Sequence, residues 1–373
     1  MEHEIEYENM IERKLFARAY EMEIPIYGVL ELTPLCNMNC DMCYVRLSKS
    51  EMENQGRLRS LEEWIMLAKE MKESGVLFVL LTGGEPLLYP WFRELYLKLM
   101  EMGMVITVNT NGTLLDRSWL DFFSHHKPRR INITLYGDSE EAYEKLCHHK
   151  VGFEQAVNAI KTLKEAGIHV KINGSLTKAN AKCADGILDI GNKLDVPVRI
   201  DTYMCPGTRE RKRPFAFQSR MDPKMAAKTR IHVLRQEMGD EVFKASCKFE
   251  LERIENTDSG EDKPFKMKCK AGKCSFTVNW QGQLRPCVVM DEPNIDVFEH
   301  GFINSWHELV NQTKQITGSN KCSQCHLRNY CNICPAYAKL ETGSYEEVPE
   351  YLCEYTKHSI QYMKEELEKM KDE

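Results

Sequence analysis

The sequence predicts an α/β fold: a partial (β/α)6 barrel of the TIM type, followed by a small C-terminal cysteine-rich module. Three observations carry that expectation. Short β-branched runs alternate six times with helical stretches between residues 28 and 203, which is the pattern of parallel βα units. Polar residues collect just past the ends of those runs, where barrels place their active groups. Eight of the fifteen cysteines then crowd between Cys269 and Cys353, too densely for core packing.

The strands are expected over residues 28–33, 77–81, 105–109, 131–136, 169–173 and 198–203. Right-handed crossovers between six such units close most of a barrel and leave a lateral opening. Before the first strand, residues 11–20 read as an amphipathic helix packing across the outside or base of the barrel. Ser60 and Glu63 form a capping box that opens a helix running to Gly75. Helices over 91–102, 116–124, 153–165 and 186–194, and one starting at Ser139, fill the crossovers. Asp222 and Pro223 suit the cap and first position of a bridging helix over 221–238. The organisation expected is therefore a helix in 1–25, a barrel in 26–210, a bridging helix and linker in 211–265, and the cysteine module in 266–373.

Composition excludes several classes of function. At 373 residues with a net charge of −6, nothing global favours nucleic acid or an anionic membrane. No apolar run reaches transmembrane length, and the first residues are acidic where a signal peptide would be basic and then apolar. A cytoplasmic location is the expectation, and cysteines there are kept reduced, so clustered spacing favours metal over disulfides.

Cys36, Cys40 and Cys43 stand at C-x3-C-x2-C on the loop after the first strand. Three thiolates from one loop can hold three irons of a [4Fe-4S] cubane, whose usual complement is four, leaving the fourth iron for a ligand from outside the chain. A zinc loop or three buried thiols is the competing reading, and a closed zinc site would need a local fourth ligand. The second strand ends in Gly83-Gly84-Glu85-Pro86. Its glycines allow backbone to approach a ligand closely, and Glu85 can accept hydrogen bonds from an ammonium group.

These two motifs in this order resemble the radical S-adenosylmethionine (radical SAM) superfamily. The resemblance implies that Cys36, Cys40 and Cys43 carry the cluster, that S-adenosylmethionine chelates the open iron, and that its reductive cleavage yields a radical that takes hydrogen from substrate. Met42 departs from the aromatic residue usual before the third cysteine, so Tyr44 is expected to pack on adenine. Asn111, Thr134, Lys171 and Asn173 are the implied contacts to ribose and carboxylate, with an ordinary turn-and-edge role as the alternative. Lys171 substitutes for an arginine that relatives carry near the position of Cys147.

The later cysteines resemble the SPASM extension of that superfamily, which binds two auxiliary [4Fe-4S] clusters. The resemblance implies Cys269, Cys274, Cys287 and Cys334 on an inner cluster and Cys322, Cys325, Cys331 and Cys353 on an outer one, although the last interval of the central run is x2 rather than the commoner x3. Two four-thiolate zinc ions are the alternative. Cys147, Cys183, Cys205 and Cys247 remain as small core residues, of which Cys205, at the end of the sixth strand, is placed to face substrate or to donate hydrogen. Arg209, Arg211 and Arg213 belong to a charge run at the barrel mouth, expected as a solvated loop or as steering for an acidic peptide.

The function implied is modification of a ribosomally made peptide, with or without a leader segment, by thioether or carbon–carbon crosslinking. A flavodoxin or ferredoxin-type donor would supply electrons. Sulfatase maturases carry an acidic residue after the cysteine corresponding to Cys287, where this chain has Val288, so that reading is demoted. A haem- or cofactor-tailoring decarboxylase or dehydrogenase is the runner-up, and a non-catalytic electron carrier or zinc scaffold is the reading outside enzymes.

Overall fold

The computed structural model describes residues 10–205, 210–211, 220–258, 263–331 and 333–372. Nine strands form one sheet. They are β1 (Tyr27–Glu31), β2 (Phe78–Thr82), β3 (Val105–Thr110), β4 (Arg130–Leu135), β5 (Val170–Ser175), β6 (Val198–Asp201), β7 (Ser275–Val278), β8 (Gln283–Arg285) and β9 (Ile295–Asp296), in the order β6-β5-β4-β3-β2-β1-β7-β8-β9. β1 to β5 each pair in parallel with the next strand in sequence, as the alternation of runs and helices predicts.

The helices begin where the sequence can cap them. Ser60 accepts from Glu63 N while Glu63 reaches back to Ser60 N, which opens Leu61–Glu73. Asp116 caps Arg117–His125, and Asp222 caps Pro223–Met238 with proline at its first position. These caps satisfy amide groups that no helix can pair internally.

The strands are two-faced. Ile131, Ile133 and Leu135 of β4, and Ile172 of β5, are fully buried, and added Cβ atoms at Gly112 and Gly174 would meet Ile133, Ala156, Ile187 and Ile200 on that same side. That face carries the apolar core against the helix layer. The alternate positions, Asn109, Asn132, Thr134, Lys171 and Asn173, share the other face by strand register. A polar inner face is what a binding cleft needs and what a packed barrel interior does not.

The first helix, Met10–Met22, lies under the sheet as expected, with Phe16 stacked on Phe78 at 5.3 Å between centroids. One feature differs from the expected six-stranded barrel. β7 adds in parallel to the free edge of β1, and β8 and β9 continue antiparallel from it, so the sheet runs on past residue 266. Arg59 reinforces the junction: its guanidinium donates twice to Gln281 O and lies 4.3 Å from the Phe298 ring. Covering the edge of β1 in this way removes an unpaired row of backbone groups. The C-terminal helix Glu350–Asp372 packs along Pro223–Met238. No helix among the described residues is long and apolar enough to cross a membrane.

Candidate active site

The loop after β1 brings Cys36, Cys40 and Cys43 within electrostatic reach of one another. Met38 N donates to the Cys36 sulfur at 3.4 Å and Arg46 N to the Cys43 sulfur at 3.3 Å. Burial pushes the Cys36 thiol up to about 12, against the lowering effect of the Met38 amide. Burial raises Cys43 as well, while Cys40 is raised first by its hydrogen bond with Cys147 and then by burial. Three buried thiols of this kind stay protonated unless a cation is supplied, and a coordinated metal is what deprotonates them. The donor set therefore fits an iron–sulfur cluster. Among the described residues no three such side chains converge on a single ion, and a cubane asks for none, because each of its thiolates takes a different iron.

Two supports of this loop were not legible in the sequence. Arg211, which is buried, donates to Cys40 O at 2.8 Å and to Asn39 Oδ1 at 2.7 Å, and its own amide donates to Tyr44 O. Its place in the charge run suggested a solvated or substrate-steering residue; the structure instead folds it under the cluster loop. Arg209 and Arg213 lie outside the described residues. On the other side, Asn39 N and Asp41 N donate to Cys147 O and Leu146 O at 3.0 Å each, and His148 Nε2 lies 2.8 Å from Asp41 Oδ1. The end of helix Glu140–Cys147 thus takes part in holding the loop. Tyr136, just past β4, feels the thiols of Cys40, Cys147, Cys43 and Cys36 and is raised well above its ordinary value, chiefly by burial.

The GGEP segment is fixed to the same loop. Gly84 N donates to Thr33 O at 2.7 Å and Glu85 N to Leu35 O at 2.8 Å. A Cβ on Gly83 would stand 2.4 Å from Thr33 O, and one on Gly84 2.4 Å from Leu35 O. On the side where a Cβ would stand, the close approach that these glycines permit is to protein backbone. Pro86 is buried at the start of the short 3₁₀ turn Pro86–Leu88.

Glu85 is fully buried and its carboxylate is engaged by protein donors: Thr110 Oγ1 at 2.8 and 2.9 Å, Asn111 N at 2.9 Å and Leu87 N at 3.1 Å. It ties the end of β2 to the end of β3 rather than standing open to an ammonium group. Burial pushes it up to about 7, against the lowering effect of these donors. A raised carboxyl contributes stability that is complete below pH 4.5 and is lost as pH rises through 7; the rise from 4.5 corresponds to on the order of 3 kcal/mol. Unfolding free energies of the metal-free protein should therefore fall between pH 5 and pH 8, and a Glu85→Gln variant should lack that part of the slope.

Asn111 brackets the cluster loop from β3. Its Nδ2 donates to Asn37 Oδ1 at 2.9 Å and approaches the Cys36 sulfur at 3.7 Å. Thr134 and Asn173 are register neighbours, as are Asn132 and Lys171, which puts the expected cosubstrate contacts on one polar face. Tyr44 is half-buried beside the loop.

The later cysteines form two groups. Cys322, Cys325, Cys331 and Cys353 act electrostatically on one another. Cys287, Cys334 and Cys269 form the second group. Cys274 stands apart from Cys287 and Cys334, fully buried among Phe16, Ala19, Ile26 and Phe78.

Cys205, past the end of β6, is pushed up to about 12 by burial; Arg220 opposes that shift, while Glu341 and Cys287 add to it. Around it Arg220 forms a bidentate pair with Glu341 at 2.6 and 3.1 Å, and Tyr203 donates to Glu341 at 2.8 Å. Tyr203 and Tyr337 rings lie 5.0 Å apart. The aromatic set was missed because its members are spread over more than a hundred residues of sequence with no shared spacing.

A parallel sheet with a three-cysteine loop at the carboxyl end of its first strand agrees with the family match: residues 30–178 carry a radical SAM superfamily domain. The chain is 30% identical over 158 residues to the sporulation killing factor maturation protein SkfB of Bacillus subtilis, covering 42% of this chain and 37% of that protein. It is 25% identical over 327 residues to the antilisterial bacteriocin subtilosin biosynthesis protein AlbA of the same organism, covering 84% and 68%. The AdoMet-dependent heme synthase of Methanosarcina barkeri is 23% identical over 343 residues, covering 86% and 94%. The fold is shared with Streptococcus suis SuiB bound to precursor peptide SuiA, at a TM-score of 0.66, 17% identity and coverages of 92% and 80%. It is also shared with anSMEcpe with bound AdoMet, at 0.67, 18%, 93% and 99%.

Proposed function

We propose that this radical SAM enzyme modifies a ribosomally made peptide, forming a thioether or carbon–carbon bond. The observation that carries the reading is the joining of the C-x3-C-x2-C loop to the ends of β2 and β3 through Gly84, Glu85 and Asn111, at the mouth of a polar inner face. Cys36, Cys40 and Cys43 would hold a [4Fe-4S] cluster. With S-adenosylmethionine bound, such a cluster supplies one-electron cleavage of the sulfonium and a radical that takes a hydrogen atom from substrate.

The chain's own residues do the positioning. Arg211 and Asn111 fix the loop from opposite sides, and Thr134, Lys171 and Asn173 offer polar contacts to the cosubstrate. The inner-face row leads toward Cys205 and the cysteine module, where two auxiliary clusters would take up the electron that crosslinking releases from substrate. Relatives named for peptide maturation and a fold shared with a peptide-bound protein support a peptide substrate. The near full-length likeness to a heme synthase supports haem tailoring as the second reading.

Mass spectrometry separates the two. Incubating reduced protein and S-adenosylmethionine with candidate short precursor peptides should give a peptide lighter by two hydrogens per crosslink. With iron-coproporphyrin added to the same incubation, loss of carbon dioxide from the porphyrin with every peptide unaltered would establish the haem reading instead.

A further inference from the structure

We infer that Glu210 is a positioning residue for the cysteine loop: it joins Arg211, which holds that loop, to the β7–β8 hairpin at the edge of β1 away from β2. The inference rests on the proposal above that the loop of Cys36, Cys40 and Cys43 carries a cluster.

The loop is tied to the sheet from both neighbours of β1. From β2, Gly84 N and Glu85 N reach Thr33 O and Leu35 O. From the β7 side the tie runs through two consecutive residues whose side chains take opposite partners. The Arg211 guanidinium donates to Cys40 O at 2.8 Å and to Asn39 Oδ1 at 2.7 Å, and its amide donates to Tyr44 O at 3.0 Å. The Glu210 carboxylate meets the hairpin, where Oε1 accepts from Asn279 Nδ2 at 3.4 Å and lies 3.7 Å from Arg285 Nη1.

The hairpin end of this tie is well fixed. Asn279 is fully buried, and its Oδ1 accepts from Gln281 N at 3.1 Å and Gln283 N at 2.9 Å, which closes the turn between the strands. Arg285 stands directly opposite Thr277 in the β7–β8 ladder, and β7 is itself paired to β1. The side chains of Glu210 and Arg285 are only 4% and 8% exposed, and Arg211 is buried beside them in sequence. An ion pair so withdrawn from water contributes little net stability compared with apolar residues of the same size. Its use is placement, because removing either charge leaves the other buried with less compensation. By this route a hairpin that follows residue 266 helps to set the geometry of a site whose cysteines and GGEP segment all precede residue 112.

Hydrogen–deuterium exchange of the metal-free full chain tests this without any cluster or substrate. Glu210→Gln keeps the shape of the side chain and removes its charge, and Arg285→Met removes the opposite charge. Each should speed amide exchange of the peptide spanning residues 36–47 by roughly tenfold, as expected for losing one charge-assisted contact, and leave β2 to β5 as in the parent. The double variant should exchange no faster than either single one, because both changes remove the same contact. In reconstituted protein, each single variant should raise the S-adenosylmethionine concentration that half-converts the electron paramagnetic resonance signal of the reduced cluster. A general loss of stability at unchanged iron content would not move that concentration. Unchanged loop exchange in both single variants, effects that add in the double variant, exchange raised equally across β2 to β5, or an unmoved half-conversion would each overturn the inference. A parent chain whose signal does not respond to S-adenosylmethionine would instead remove the cluster reading, with the exchange result still standing.

Discussion

Replacing Gly84 with alanine should cost about 3–5 kcal/mol and release the cysteine loop from the barrel. The added Cβ would lie 2.4 Å from Leu35 O, 2.8 Å from Leu35 C and 2.8 Å from Pro34 O. All three are backbone atoms of the segment leading into Cys36, so no side chain can swing aside. Relief requires the two segments to separate, and the bonds from Gly84 N to Thr33 O and from Glu85 N to Leu35 O go with them. Such a loss is a large part of the stability of an ordinary domain. Denaturant titration should show the lowered midpoint, and iron bound after reconstitution should fall with it. A Gly84→Ala protein of unchanged stability and iron content would show that the junction is looser than its distances indicate.

Arg211→Ala should have the second largest effect. The guanidinium is buried and makes charge-assisted bonds to Cys40 O and Asn39 Oδ1, each of a kind worth about 1.5–3 kcal/mol. Removing it leaves those acceptors buried beside the thiols, with an expected cost of about 2–4 kcal/mol. Arg211→Lys should not rescue it, because one ammonium cannot reproduce the two-point fork of a guanidinium. Iron content and S-adenosylmethionine affinity should both drop in either variant, whereas a residue that only steered substrate would change peptide affinity alone.

Much of the barrel was legible because its signals are local. Alternating β-branched runs, the Ser60–Glu63 box and the Asp222-Pro223 start are each written within a few residues, and the corresponding strands and helices occur where those signals stand. The cysteine spacing and GGEP likewise identify the loop and its partner.

What stayed hidden depends on contacts across long stretches of chain. β7 is four residues long and reads as strand only once the open edge of β1 is known. Arg211 sits in a charge run, and nothing in that run marks its side chain as one that turns inward. Gly83, Gly84 and Glu85 are recognisable as a motif, but spacing shows that a position is crowded without showing which backbone crowds it. Cys274 has the spacing of a ligand, and its packing with Phe16 and Phe78 is not written in that spacing.

The most direct measurement of the central claim is the anaerobic, dithionite-dependent conversion of S-adenosylmethionine to 5'-deoxyadenosine and methionine. The account predicts that the reconstituted protein forms both in equal amounts and that a Cys36→Ala, Cys40→Ala, Cys43→Ala variant with intact iron in its later cysteines forms neither. Undiminished 5'-deoxyadenosine from that variant, or none from the iron-replete parent, would contradict it.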